Sequence, residues 1–259
     1  NQILLVDGFT RDHTVQVVAR LCKYINWGFK VMYAQGSLGL ARHLGNLMVE
    51  TPLYVSLDSE VLLPAGWFQA METELNEDTG LIYAGSYLVF GDEGTMLGDT
   101  WRFYLRERNT QPCICAALIR RSLADFTCMR GIHVGEDTIY NFHLIETGGR
   151  YKLRHDLPAT HPSTVLRDMK HSYGWGRGSR EIGRHGAVEV FRVARAAFKG
   201  VKAAIVYRRP AIAIYMPLRE VIHLAGYFTG SCRAREHTLR EELNLVYANR
   251  RIVKKKRLF

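Results

Sequence analysis

The prediction of the fold starts from the segment Leu53-Tyr54-Val55-Ser56-Leu57-Asp58-Ser59-Glu60. Its first five residues form a β-prone apolar run that stops at two carboxylates one residue apart. Ligands of open α/β sheets bind outside the carboxyl ends of the strands, so Asp58 and Glu60 are predicted to face a binding crevice. Two nearby oxygen donors suit a hard cation such as Mg²⁺ or Mn²⁺. The simpler alternative is a polar turn after a strand.

Strand and helix patterns alternate on both sides of this stretch. The predicted strands are Ile3–Val6, Phe29–Tyr33, Leu53–Leu57, Leu81–Phe90, Cys113–Ile119 and Arg150–Leu153. The predicted helices are Thr14–Ile25, a glycine-punctuated segment from Gly36 to about Val49, Trp67–Leu75 and Gly135–Thr147. Residues 91–110 are polar and glycine-rich and are predicted to form a mobile loop. Tyr173–Gly178 is also rich in glycine and is predicted to be flexible. The alternation indicates an α/β fold with a mostly parallel sheet flanked by helices.

Composition indicates a globular protein of a reducing compartment. The chain has 259 residues, 47% of them hydrophobic, which is enough for one large core or two modest ones. Its five cysteines are scattered and include no CxxC pair, so neither a zinc ribbon nor a disulfide framework is indicated. No leader pattern opens the chain, and no apolar run reaches the length of about 18 residues that a membrane span requires. We therefore expect a cytoplasmic protein.

The formal charge of +10 is concentrated in the last third of the chain. Residues 1–166 contain 14 Lys and Arg against 18 Asp and Glu, whereas residues 167–259 contain 21 against 7. This asymmetry separates residues 1–165 from a basic tail, residues 166–259. The tail is therefore the region expected to bind an anionic partner.

The tail contains a predicted helix over Ala187–Tyr207. Arg192, Arg195, Lys199 and Lys202 are spaced 3, 4 and 3 residues apart, which places them on one stripe of that helix. A basic stripe beside an apolar face is typical of a helix in a membrane interface, and equally of a helix packed on the protein with a solvated basic side.

The rest of the tail is apolar and then strongly basic. Two short apolar pieces, Ala211–Met216 and Val221–Thr229, are predicted to be separated by Pro217 and Arg219-Glu220. The cluster Arg250–Arg257 is either a solubilising tail or an attachment to the inner face of the cell membrane, since each basic residue near an anionic leaflet contributes about 1 kcal/mol.

The motifs occur in a characteristic order over about residues 1–165. They are Ile3–Asp7 with Gly8 and Thr10-Arg11-Asp12, then Gly39-x-Ala41-Arg42-xxx-Asn46, then Leu57-Asp58-Ser59-Glu60, then Gly135-Glu136-Asp137-Thr138, and last His161. This order resembles a family 2 glycosyltransferase with the GT-A (Rossmann-like) fold. Residues 1–165 would then be the catalytic domain.

The resemblance implies a binding site for a nucleotide-sugar donor. Asp7 would contact the nucleotide base, and Arg42 would lie near the base or the diphosphate. Asp58 and Glu60 would occupy the family's Asp-x-Asp position and hold Mg²⁺ or Mn²⁺, which neutralises the leaving diphosphate. His161 would be a third metal ligand. Without the resemblance, a histidine beside Pro162 is more typical of a surface loop.

The resemblance also implies an inverting reaction at an acceptor hydroxyl. Asp137 would be the general base, and Glu136 would lie on the acceptor side. The acceptor would be a glycan or a lipid-linked sugar of the cell envelope.

The chain departs from the family pattern at two places. The family normally begins with another strand and a nucleotide-binding loop, and this chain starts after them, so it is expected to be truncated at its N-terminus. Glu60 stands where the family has a second aspartate, and its longer side chain still reaches a metal ion.

Three other functions fit parts of the sequence. The basic tail suggests a nucleic-acid-binding protein, but the tail has no zinc-finger, RRM or KH signature, so nucleic acid is not the partner that we expect. A nucleotidyltransferase is also α/β and metal-dependent. A catalytically inactive glycosyltransferase-like scaffold would account for the missing first strand.

Overall fold

The computed structural model describes residues 1–107, 114–181 and 185–230, which form two compact units. Within these ranges, unit 1 consists of residues 1–50 and 125–136, and unit 2 consists of residues 51–124 and 137–230. The predicted mixed α/β class is confirmed. The predicted domain boundary after residue 165 does not coincide with the division into units and stays a prediction. The polybasic cluster Arg250–Arg257 lies outside the described residues.

Unit 1 contains a pair of parallel strands joined through a helix. Its elements are, in chain order, β1 (Gln2–Asp7), α1 (Thr14–Tyr24), β2 (Gly28–Tyr33) and α2 (Leu38–Met48). Ser37 caps the N-terminus of α2, because its Oγ accepts a hydrogen bond from the Leu40 backbone N–H at 3.0 Å. The alternation read from the sequence therefore produces a βαβ unit here.

Unit 2 is built on a four-stranded sheet with the order β3-β5-β4-β6. Its strands are β3 (Leu53–Leu57), β4 (Leu81–Phe90), β5 (Ala116–Arg120) and β6 (Arg150–His161). Strand β5 is antiparallel to both of its neighbours, whereas β4 and β6 are parallel, so β3, β4 and β6 run in one direction. The carboxyl ends of these three strands therefore lie at the same end of the sheet. Apolar periodicity carries no information on strand direction, which is why the reversal of β5 was not predicted.

Helices of unit 2 cover the sheet and extend beyond it. They are α3 (Trp67–Glu77), α4 (Met96–Arg106), α5 (Glu136–Thr147), α6 (Val165–Glu181), α7 (Gly186–Tyr207) and α8 (Ala211–Thr229), with Glu136 assigned to unit 1. Trp67, Met71 and Leu75 repeat every four residues along α3 and are almost wholly buried. They pack against Ala84 and Leu118 of the sheet and form the core of unit 2.

The prediction of a mobile loop over residues 91–110 is wrong for its central part, which forms α4. Thr95 caps this helix, because its Oγ1 accepts a hydrogen bond from the Gly98 N–H at 3.0 Å. Leu97 and Phe103 are buried in a cluster with Met216 and other residues of α7 and α8. This tertiary burial stabilises a helix whose sequence is polar and glycine-rich. Residues 108–110 lie outside the described residues.

The prediction of a flexible segment at Tyr173–Gly178 is also wrong, since the segment lies inside α6. Here α6 and α8 pack backbone to backbone. A Cβ at Gly176 would lie 1.9 Å from the carbonyl oxygen of His223, and one at Gly226 would lie 2.1 Å from that of Tyr173. The glycines therefore allow the two helices to approach more closely than side chains permit.

Replacing Gly176 by alanine is expected to lower the free energy of unfolding by about 1–3 kcal/mol, because the new methyl group would push α6 and α8 apart. Gly174→Ala is the matched control. It lies on the same helix with nothing within 4 Å of its Cβ, so alanine should raise stability by up to about 1 kcal/mol. Urea unfolding measures both variants. Equal effects would show that α6 and α8 are not in close contact in solution.

Residues Ala211–Thr229 form one helix, so the predicted break at Pro217 does not occur. A proline inside a helix removes one hydrogen bond and is costly. The preceding residues Tyr215 and Met216 are buried in a cluster with Ile212 and Phe103. Packing of this helix on its neighbours therefore outweighs the effect of the proline.

Helix α8 buries its charged residues. Arg219, Glu220 and His223 are 4%, 5% and 3% exposed. Arg219 donates hydrogen bonds to Asp168 of α6 at 2.8 Å and to Glu220 at 2.6 Å, and Glu220 also pairs with Arg192 of α7 at 3.0 Å. Burial acts to lower the pKa of Arg219, but the two carboxylates outweigh it and raise this pKa. A buried ionic network thus connects the three helices.

Candidate active site

Asp58 and Glu60 lie in the turn directly after β3, at the carboxyl end of that strand. The Asp58 N–H donates to the carbonyl of Cys115 at 3.2 Å, and the Asp58 carbonyl accepts from the Val61 N–H at 3.1 Å. These bonds hold the backbone of the turn. Asp58 is half-buried, whereas the Glu60 side chain is 41% exposed.

Glu60 contacts His161, which lies far from it in the sequence. The Oε2 atom of Glu60 is 3.2 Å from Nε2 of His161, the last residue of β6. His161 is buried, and its ring stacks on Phe90 at the end of β4 with centroids 4.7 Å apart. The histidine is therefore the buried end of a strand and not part of a surface loop. The sheet brings a carboxylate and an imidazole together at the carboxyl ends of its strands.

Arg167, in the first turn of α6, forms an ion pair with Glu60. Its Nη2 atom donates to Oε2 of Glu60 at 2.5 Å and also contacts Oε1. This hydrogen bond, more than the charges of the neighbouring histidines, holds the pKa of Glu60 below its ordinary value of 4.5. Glu60 is therefore an ionised carboxylate at neutral pH.

The Glu60–Arg167 pair is expected to stabilise the protein only above acidic pH. Because folding lowers the pKa of Glu60, its contribution is complete above pH 4.5 and is lost as the pH falls through the lowered value. Both side chains are partly exposed, so the contribution is at most about 1 kcal/mol.

Arg167→Gln should return the pKa of Glu60 toward 4.5, which NMR titration of the carboxylate carbon measures. Arg177→Gln, at an exposed position of the same helix, should leave the titration unchanged. If the midpoint does not move in Arg167→Gln, the ion pair does not form in solution.

An aromatic cluster borders His161. The ring of Phe90 is 4.6 Å from that of Trp101 and 5.5 Å from that of Trp175, between centroids. The ring of His171 is 6.0 Å from that of His161 and 5.8 Å from that of Trp175. Burial, followed by the charges of nearby cationic groups, lowers the pKa of His171 below 6.5. This imidazole is therefore neutral at pH 7.

Three residues of this region were not predicted from the sequence. Arg167, His171 and Trp175 follow one another at intervals of four along α6, so they share one face of the helix. The spacing of four residues was the feature of the sequence from which this shared face could have been predicted. It was missed because the glycines at 174, 176 and 178 suggested a flexible segment in place of a helix.

Asp137 lies in the first turn of α5 and is half-buried. A carboxylate at this position is favoured by the positive end of the helix dipole. The assignment of Asp137 as general base stays a prediction.

Of the three predicted site residues of unit 1, Asp7 and Glu136 are buried and Arg42 is half-buried. Asp7 ends β1 and accepts hydrogen bonds from Thr10, at 3.2 Å from the N–H and 2.7 Å from Oγ1. The Nε atom of Arg42 is 3.2 Å from Oε1 of Glu136, with side chains 9% and 6% exposed. The residue predicted to bind the donor and the residue predicted on the acceptor side are therefore partners in a buried ion pair.

The glycine-punctuated entry into α2 is a packing feature. The Gly39 N–H donates to the carbonyl of Ile132 at 3.1 Å. A Cβ at Gly39 would lie 1.9 Å from the carbonyl oxygen of Met129. Close backbone packing therefore explains this glycine without a bound phosphate.

Glu60 and His161 fit a metal ion only in part. Within residues 1–107, 114–181 and 185–230, no group of three or more His, Cys, Asp or Glu side chains is arranged to hold a metal. The pair supplies one oxygen and one nitrogen. Mg²⁺ at nucleotide sites ordinarily uses one or two protein carboxylates and completes its shell with substrate phosphates and water. The pair thus fits a cation shared with a diphosphate.

A separate cavity of about 420 Å³ lies at the opposite end of these strands. Its lining includes Leu81 at the start of β4 and Arg150 at the start of β6, together with Glu74 and Asp78. Arg150 pairs with Asp78, and Lys152 pairs with Glu74, so both basic residues of its wall are held in ion pairs. The cavity is distinct from the cluster around Glu60.

The fold and the site together define a mixed α/β protein with a carboxylate and a histidine at the carboxyl ends of its strands. Comparison with known proteins adds little to this description. No family model matches the chain. No curated protein matches it significantly.

Two solved structures are similar to the chain at low sequence identity. The crystal structure of GalNAc-T7 with UDP, GalNAc and Mn²⁺ is 14% identical, with a TM-score of 0.48 over 70% of this chain and 41% of that chain. The crystal structure of S. aureus TarS 1–349 is 15% identical, with a TM-score of 0.44 over 68% of this chain and 55% of that chain. The chain thus spans less than two thirds of either.

Proposed function

We propose that this protein is a glycosyltransferase with a GT-A fold that transfers a sugar from a nucleoside-diphosphate sugar to a hydroxyl group. The contact of 3.2 Å between Glu60 and His161 supports this proposal most directly. Both residues were predicted from separate motifs, and they meet at the carboxyl ends of strands, where open α/β sheets bind ligands. The acceptor class that we propose is a lipid-linked or envelope glycan.

The proposed reaction inverts the anomeric carbon. Asp137 takes the proton of the acceptor hydroxyl while its oxygen attacks the anomeric carbon. The bond from this carbon to the diphosphate breaks on the opposite face, and the nucleoside diphosphate leaves with the bonding electrons. Asp7 is proposed to bind the nucleotide base and Arg42 the base or diphosphate, with Glu136 holding the Arg42 guanidinium through their ion pair.

Glu60 and His161, with Asp58, are the residues proposed to hold Mg²⁺ or Mn²⁺. The cation, when bound, would offset the charge that develops on the leaving diphosphate. The guanidinium of Arg167 is paired with the Glu60 carboxylate, so a cation that binds Glu60 would compete with this guanidinium. Because Arg167 lies beside the proposed cation site, its guanidinium is also positioned to attract the diphosphate.

The test is a panel of nucleotide-sugars assayed for release of nucleoside diphosphate with Mg²⁺, Mn²⁺ or a chelator. We expect release from one donor, at least tenfold slower with the chelator and in Glu60→Gln. Glu50→Gln is the matched control, because Glu50 is another exposed glutamate held by an ion pair, 2.8 Å from Lys30. Donor binding without release would favour an inactive scaffold, and no binding of any donor would refute the proposal.

Peripheral association with an anionic membrane remains part of the proposal. No helix within the described parts of the chain combines the length and apolarity that a membrane span requires. Association would therefore involve a surface of the protein.

A further inference from the structure

Helix α8 directs one stripe of apolar side chains to solvent. The exposed stripe repeats every three or four residues and consists of Ala211, Ile214, Leu218, Val221, Ala225 and Phe228. Ile214 and Phe228 are 72% and 67% exposed, whereas Arg219 and Glu220 on the opposite side are buried. An ordinary surface helix has the reverse arrangement. A continuous exposed apolar stripe of this kind marks an interaction surface.

Helix α7 also exposes large apolar side chains, and of the basic stripe predicted from the sequence only Arg195 and Lys202 are exposed. Arg192 pairs with buried acids, and Lys199 is buried, which lowers its pKa. The helix instead exposes large apolar side chains at intervals of seven residues: Phe191, Phe198 and Ile205, which are 69%, 76% and 73% exposed. We name these residues, together with the stripe of α8, the apolar face.

The exposed charges on α7, on α8 and at Arg208 after α7 have one sign. Glu189 and Glu220 are the only acidic residues of α7 and α8, and both are buried, at 1% and 5% exposure. Arg195, Lys202 and Arg208 are exposed, and Lys202 also pairs with Glu107 at 2.6 Å. The outer side of the two helices is therefore apolar and basic.

We propose that the apolar face lies in the interface of an anionic lipid bilayer. Apolar side chains would enter the boundary between headgroups and acyl chains, and the arginines would contact the anionic headgroups. The helices would lie in the membrane plane, since none in the described ranges is able to span it. This proposal deepens the predicted membrane association, but it does not depend on the chemistry of sugar transfer.

Two other partners for the apolar face, a second copy of the chain and residues 231–259, are less favourable because they carry like charge. A second copy of the chain would bring the same arginines together without an acidic partner. Residues 231–259 contain nine Lys and Arg against three Asp and Glu, so this segment would also meet like charge. Anionic lipid supplies both the apolar phase and the opposite charge.

The test is flotation of the full chain with vesicles of phosphatidylcholine, with or without phosphatidylglycerol. We expect binding to the anionic vesicles, and a decrease of at least about tenfold in the triple variant Phe198→Ser/Ile214→Ser/Phe228→Ser. In the double variant Arg195→Gln/Arg208→Gln, the affinity for anionic vesicles should decrease about fivefold for each arginine removed, and binding to neutral vesicles should not change. The matched control is Phe142→Ser/Ile145→Ser, at positions of α5 that are 50% and 68% exposed, and it should bind like the wild type.

Each variant is expected to fold, because the substituted side chains are exposed. Thermal unfolding checks this. The proposal is refuted if the wild type does not bind anionic vesicles, or if the triple variant binds as well as the wild type. It is also refuted if the wild type is a dimer without lipid and the triple variant is a monomer, because a second copy would then cover the face. Vesicle binding is measured without any sugar donor, so failure of this test and failure of the proposed transferase activity are distinguishable.

Discussion

Asp137→Asn is expected to slow sugar transfer by about 10²–10⁴-fold, the range that a general base contributes. An amide has nearly the shape of the carboxylate but does not accept the proton of the acceptor hydroxyl. The half-buried position of Asp137 in the first turn of α5 is kept by the substitution. Release of nucleoside diphosphate in the presence of acceptor measures the effect.

Glu146→Gln is the control for this prediction, since Glu146 is exposed near the other end of the same helix. It should retain full activity. Both variants should bind the donor with unchanged affinity in calorimetry, because the base acts on the acceptor. Turnover of Asp137→Asn at the wild-type rate would show that another group takes the proton, and loss of donor affinity would place Asp137 on the donor side.

Arg219→Met should lower the free energy of unfolding by about 3–5 kcal/mol, because it leaves buried carboxylates without their cation. Asp168 and Glu220 are 2.8 and 2.6 Å from this guanidinium. The same group lies over the rings of Trp101 and Trp175, at 4.9 and 5.3 Å from their centroids. The substitution therefore removes ionic and cation–π interactions together, and urea unfolding measures the loss.

Arg209→Met provides the comparison for a solvated ion pair. Arg209 is 2.7 Å from Asp99 but 42% exposed, so its loss should cost no more than about 1 kcal/mol. The double variant Asp168→Asn/Arg219→Met should be more stable than Arg219→Met alone, because one uncompensated carboxylate is removed. Similar losses in the two single arginine variants would mean that the network around Arg219 is hydrated.

The predictions that were confirmed depend on local sequence. The strands Leu53–Leu57 and Leu81–Phe90 have the predicted bounds, because an apolar run between turn residues specifies a strand without help from distant residues. The helix predicted over Ala187–Tyr207 is observed as α7. The proposed roles of Asp7, Arg42 and Asp137 depend on motif order and stay predictions.

The predictions that were wrong concern segments whose structure depends on packing. Residues 96–106 have too many polar and glycine residues to predict a helix, yet burial of Leu97 and Phe103 stabilises α4. The glycines of α6 indicate flexibility in isolation, but they allow α8 to approach its backbone. Pro217 predicts a break, which the packing of Tyr215 and Met216 prevents.

The α/β class, most of the strands and the acidic end of β3 follow from local sequence, because periodicity and turn residues act over short distances. The contacts of Glu60 with His161 and Arg167 depend on tertiary structure, and so does the burial of Glu189, Arg219 and Glu220 in helices that expose apolar side chains. Helical spacing identifies the faces of a helix but not which face is covered. That depends on the groups that neighbouring helices present, here the buried carboxylates of Asp168, which pairs with Arg219, and of Glu220, which pairs with Arg192.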